Sequence, residues 1–124
     1  MALTVDSIFG DSEDSLKPRW QQSGSTQVDT TASDVQAVSI YTVTTGRTLY
    51  VTSIMYTCLG GSPNTETFYD GTSTAGTIKF IGNSASDDIN NIVNFTTPLQ
   101  FDIGIFLSPA SGAHYDVTII GWEE

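Results

Sequence analysis

One histidine, one cysteine and fourteen acidic residues are the side chains with which this chain could act as base, nucleophile or metal ligand. His114 lies in the turn Ser111-Gly112-Ala113-His114, with Ser108 and Asp116 nearby. A serine, a histidine and an aspartate are the parts of a nucleophilic triad, but such a triad needs three groups brought together in defined roles. Here they crowd one hairpin loop, and no strand-to-helix elbow presents a serine. The expected role of His114 is that of a solvated loop residue. Asp87-Asp88 is the one adjacent acidic pair inside the expected folded part before the C-terminal Glu123-Glu124, and neighbours in a loop point apart, whereas glycoside hydrolysis needs two carboxyls facing across a sugar. With Asn90 they could offer oxygen atoms to calcium, but the spacing of a calcium loop is missing. A solvated loop that discourages edge-to-edge strand pairing is the plainer reading, and Glu123-Glu124 reads as a solvated end. Asn94-Phe95-Thr96 fits a glycosylation sequon inside an expected strand. Cys58 has no intrachain partner, so no disulfide is expected, and in an apolar strand it reads as a small buried residue. No phosphate loop, dinucleotide fingerprint or Cys/His metal spacing occurs. The expectation is a protein that is not an enzyme, with no catalytic, cofactor-binding or metal-binding residues.

Charge narrows the partners. Lys17, Arg19, Lys79 and Arg47 are the only cations, and the net charge is −10. Nucleic-acid binding draws on many Lys and Arg to neutralise phosphates, and an anionic membrane surface asks for the same, so neither is expected as a partner. No run approaches the roughly 20 apolar residues of a membrane helix. The opening residues, Met1–Gly10, lack a cationic start and already carry Asp6, unlike a secretory signal.

The elements that would carry these residues are strands. Residues 1–34 are poor in apolar groups and rich in Asp, Ser, Thr, Gln and Gly, which reads as an extended N-terminal arm. Its sticky element is Leu16-Lys17-Pro18-Arg19-Trp20, which holds half of the cations beside a tryptophan. Leu16, Lys17, Arg19 and Trp20 are the candidate partner-binding residues: an anchor docked on a partner, or an arm folded back on its own domain. From Val35 to Glu124 a single β-sandwich domain is expected. Its strands are Val35–Val43, Thr48–Leu59, Thr65–Tyr69, Ile78–Ile81, Ile89–Phe95, Leu99–Phe101, Ile103–Leu107 and Tyr115–Trp122. Gly60-Gly61-Ser62-Pro63-Asn64, Asp70-Gly71 and Gly82-Asn83 punctuate them, as turn chemistry requires. Short strands at such spacing mean an all-β antiparallel sandwich, and about eight of them favour a jelly roll.

Thr48–Leu59 sharpens the expectation. Strand side chains alternate between faces, so unbroken alternation puts Leu49, Val51, Met55 and Leu59 on one face and Tyr50, Ile54, Tyr56 and Cys58 on the other. A strand apolar on both faces needs cover from both sides, which points to an oligomer. The aromatics Tyr50, Tyr56, Phe68, Tyr69, Tyr115 and Trp122 would serve as core or interface, or alternatively as a sugar-stacking platform.

Gly46-Arg47-Thr48-Leu49-Tyr50-Val51-Thr52-Ser53-Ile54, the Asp70-Gly71-Thr72 turn, Thr97-Pro98-Leu99-Gln100-Phe101-Asp102-Ile103-Gly104-Ile105-Phe106 and the final strand Tyr115–Trp122 follow a familiar order. Over roughly residues 46–122 the chain resembles small jelly-roll proteins of tailed-bacteriophage virions, above all head decoration, or cement, proteins. The resemblance implies a non-enzymatic protein on the capsid exterior of the virion, commonly a homotrimer, that clamps neighbouring copies of the major capsid protein. Its motifs are strands and turns, so it carries over no functional residue. A phage tail or fibre module that binds a receptor or carbohydrate is the alternative that the same strands allow.

Overall fold

The computed structural model describes residues 24–60, 65–84, 89–109 and 112–124. Eight strands make up the fold: β1 (Thr26–Val35), β2 (Val38–Thr42), β3 (Leu49–Gly60), β4 (Thr65–Asp70), β5 (Thr77–Asn83), β6 (Asn90–Phe101), β7 (Gly104–Pro109) and β8 (His114–Glu123). They form two antiparallel four-stranded sheets, a first of order β1-β8-β3-β6 and a second of order β2-β7-β4-β5. Successive strands cross from one sheet to the other through most of the chain, and this order is that of a jelly roll. The expected antiparallel β-sandwich is therefore the fold observed.

The core lies between the sheets. Leu49, Val51, Ile54, Val117 and Ile119 from the first sheet face Phe68, Ile105 and Leu107 from the second. At one end the rings of Tyr56, Phe68, Phe80 and Tyr115 meet at centroid separations of 5.7–6.5 Å, and Phe95 closes edge-on against Phe80. Tilted and edge-on pairs of this kind add to the stabilisation from burial alone. Cys58 is fully buried in the same core, as its position in the strand suggested.

Three expectations need correction. The expected arm of residues 1–34 gives way to sheet from Thr26 onward, because β1 pairs with β8 from Thr26↔Glu123 to Val35↔Tyr115. Residues 26–35 are mostly polar, but β1 is an edge strand that buries a single row beginning at Val28, so one apolar face suffices. Val35–Val43 is likewise not one strand: β1 ends at Val35 and β2 begins at Val38 in the opposite sheet. Asp34 has a positive φ of 52° beside this break, a conformation that Asp tolerates better than most residues.

The third correction concerns β3. Its pairing with β8 shifts register between Val51, opposite Gly121, and Ser53, opposite Ile120, so Thr52 is an extra residue on β3. A bulge of this kind reverses the alternation of every residue beyond it. Leu49 and Val51 point inward before it, and Ile54, Tyr56 and Cys58 point inward after it. The strand is thus apolar on one continuous face, and the two-sided pattern in the sequence is the trace of a phase change. Opposite Thr52, β6 carries residues 95–98 between paired Asn94 and Leu99, with Pro98 placed where an edge strand tolerates a missing donor.

Turns fix the corners. Arg47 N–H donates to Thr44 O (2.9 Å) across the β2–β3 turn, and Gly46 supplies the positive φ of 82°. The Arg47 guanidinium then reaches Gly24 O (3.2 Å), tying the entry of β1 to this corner.

Candidate functional site

The buried carboxylates hold the fold together. Asp70, at the end of β4, accepts backbone N–H bonds from Asp102 (3.0 Å), Ile103 (2.9 Å) and Gly104 (3.3 Å), so one carboxylate organises the whole β6–β7 corner. Glu123 accepts from the Tyr41 hydroxyl and the Thr44 amide, both at 2.9 Å, and bridges β8 to β2. Burial opposes its ionisation, but the bonds from Thr44 and Tyr41 and the Arg47 charge outweigh this and hold the carboxyl below its ordinary range. Burial, with the bond to Glu123, pushes the Tyr41 phenol up to about 12. Glu123, read from the sequence as a solvated end, is in fact buried.

Glu66 is completely enclosed. The Tyr115 hydroxyl donates to Oε2 at 2.8 Å and the Ser84 hydroxyl to Oε1 at 3.3 Å, and Tyr56 is a further hydrogen-bond partner. Gly82 makes the room, since a Cβ there would sit 2.5 Å from Glu66 Oε1 and 2.7 Å from the Tyr56 hydroxyl. Burial raises the Glu66 carboxyl above its ordinary value, against the lowering effect of its hydrogen bonds. Burial and the neighbouring Glu66 raise both phenols in turn. Neutral donors, and no cation among the described contacts, surround this acid.

His114 is pinned at the rim. Its Nδ1 lies 3.1 Å from Asp34 Oδ1 and its Nε2 lies 2.7 Å from Gln36 Nε2, while Asp116 Oδ1 accepts the Asp34 amide at 2.8 Å. With Nδ1–H donating to Asp34, Nε2 is free to accept from Gln36. Ser108 lies on β7 in the other sheet, and Ser111 is outside the described residues. The structure therefore joins His114 to Asp34 and Gln36, residues far away in sequence that the local reading passed over.

The outer faces are what remain for a partner. On the first sheet, register places Gln27, Trp122, Tyr50 and Gln100 in one row across all four strands. Tyr50 and Trp122 stack with centroids 5.1 Å apart and planes 10° from parallel. Beside them runs a trench of about 320 Å³ bounded by Tyr50, Thr97, Pro98, Gln100, Trp122 and Glu124. Trp122 is only 8% exposed, and its indole N–H has no hydrogen-bond partner among the described residues. A smaller, more enclosed hollow of about 250 Å³ lies further along this face, between Met55, Ile92, Asn90 and Asp116. Of the aromatics that could have formed a platform, Tyr56, Phe68 and Tyr115 are core residues, which leaves Tyr50 and Trp122 on this face. Tyr69 lies on the outer face of the second sheet, in a row with Phe106 and Ile78. Leu16, Lys17, Arg19, Trp20, Asp87 and Asp88 lie outside the described residues.

Comparison with family models, with curated proteins and with solved structures gives no match.

Proposed function

We propose that this protein is a virion structural protein that decorates the outside of a bacteriophage capsid and stabilises it by clamping neighbouring copies of the major capsid protein. The observation that carries this reading is the jelly-roll strand order, together with where the phage-like stretches fall in it. Residues 46–54 enter β3, Asp70-Gly71 closes β4, residues 97–106 form the β6–β7 corner, and residues 115–122 are β8. The chemistry of the described residues supports it: Glu66, Asp70 and Glu123 serve as internal hydrogen-bond acceptors, and His114 is engaged at a rim contact. A clamp that binds only the assembled shell stabilises that shell by mass action. The test compares particles with and without the protein under heat and chelator stress. Stripped particles should rupture under milder conditions, and adding back purified protein should restore resistance in a saturable way. Equal survival of both would sink the reading.

A receptor- or carbohydrate-binding module on a phage tail or fibre is the second reading, and the Tyr50–Trp122 stack beside an open trench favours it. Aromatic faces flanked by Gln and Glu suit a sugar ring with hydroxyls at its edge. In that case Tyr50→Ala should abolish attachment to host or glycan while leaving particle stability unchanged.

A further inference from the structure

We propose that the outer face of the β2-β7-β4-β5 sheet is a self-association surface, occupied by a second copy of this chain. Register sets Ser39, Phe106, Tyr69 and Ile78 in a row across the four strands, with Thr67 and Ile81 alongside. Ile78 is 52% exposed and Ile81 is 55% exposed, both on β5. Among the described residues β5 is also an edge strand, paired only with β4. An exposed apolar edge of this kind invites association unless something covers it.

Charge identifies the occupant. The acids of this sheet, Glu66 and Asp70, both point inward and are buried, and the only other charged residue in its strands is the cation Lys79. Among the described residues the face therefore carries no carboxylate, on a chain whose net charge is −10. Copies this acidic repel one another wherever carboxylates meet. The other broad face sets Asp29 and Asp116 outward, so two copies meeting there would oppose like charges. The second sheet offers approach without that penalty, by the same face-to-face packing that joins the two sheets internally, at about 10 Å. A cationic partner would find no anion to recognise here, whereas a second apolar face free of carboxylates can meet it without opposing acids. The inference goes beyond the capsid reading and stands apart from it, because it concerns the isolated chain in solution.

The experiment is sedimentation of the full chain over a range of concentrations, with Ile78→Asp/Ile81→Asp as the disrupting variant and Ile92→Asp, on the first sheet's outer face, as the control. The wild type and the control should sediment above the monomer mass. The double variant should weaken association by at least about tenfold in dissociation constant. Should circular dichroism show the double variant unfolded, Ile78→Thr/Ile81→Thr keeps β-branched side chains on the strand and takes its place. Raised salt should strengthen wild-type association by screening the remaining repulsion. A wild type that is monomeric throughout, or dissociation by Ile92→Asp instead, overturns the proposal. So does a monomer that attaches to a different protein through Ile78 and Ile81, which would assign the face to that partner. Capsid attachment, measured separately on the same variants, reports on the clamp reading alone.

Discussion

The two sheets dispose of their acids in opposite ways. The first sheet turns Asp29 and Asp116 outward among Thr, Asn and Gln, on the same face as apolar residues such as Met55 and Ile92. The second turns Glu66 and Asp70 inward, uses them to hold the interior and one corner, and leaves Phe106, Tyr69, Ile78 and Ile81 outside without a counter-charge. An acidic protein can thus be soluble over most of its surface and still keep one face on which contact is cheap. Where the charges sit, rather than how many there are, separates a solvated face from a contact face.

The contrast is most easily broken at Asp70. Asp70→Ala removes an acceptor shared by three backbone N–H groups and should destabilise the fold by about 3 kcal/mol in urea denaturation, since buried donors left unpaired are costly. Asp29→Asn, the outward counterpart, should move stability by no more than about 0.5 kcal/mol. Equal effects would mean that the inward acids are not structural.

Glu66 tests the same contrast through pH. Its folded-state value lies above the ordinary 4.5, so its contribution to stability is complete below that value and is lost as pH rises through the raised one. Glu66→Gln should remove this loss. The variant's unfolding midpoint should fall less than the wild type's between acid and neutral pH, and should exceed it at pH 7. A parallel pair of pH profiles would show that Tyr115, Tyr56 and Ser84 already compensate the buried charge.

Smaller effects are expected outside. Tyr50→Ala should cost about 1 kcal/mol through loss of the stack on Trp122. The change should also be visible in the fluorescence of the indole. In a spectrophotometric titration Tyr41→Phe should remove one phenol that ionises near 12, because that hydroxyl donates to Glu123.

Much of the architecture was legible in the residues alone. Gly60, Asp70-Gly71 and Gly82-Asn83 mark strand ends because their backbones suit turns, and the all-β class follows from the short spacing between them. Even so, the expected eight strands match the observed eight through compensating differences. Ile89–Phe95 and Leu99–Phe101 are one strand, β6, while Val35–Val43 is divided between two sheets. Pro98 falls between the first two of these expected segments, and the edge strand absorbs it within the irregular stretch 95–98.

What the chain determined by itself was its local alternation, its turns, its acidity and the apolar setting of Cys58. Tertiary structure decided the rest, because each remaining feature depends on a partner distant in sequence. Thr52 is a bulge only relative to β8, and that bulge converts an apparently two-faced strand into a one-faced one. Residues 26–33 carry too few apolar groups to announce a strand, and the β8 ladder recruits them. Glu66 becomes a buried acid only when Tyr115, 49 positions away, closes over it. The carboxylate-free outer face of the second sheet exists for the same reason: a carboxylate's direction follows from strand register and from what can hydrogen-bond it inside, and neither is encoded by the residue or its immediate neighbours.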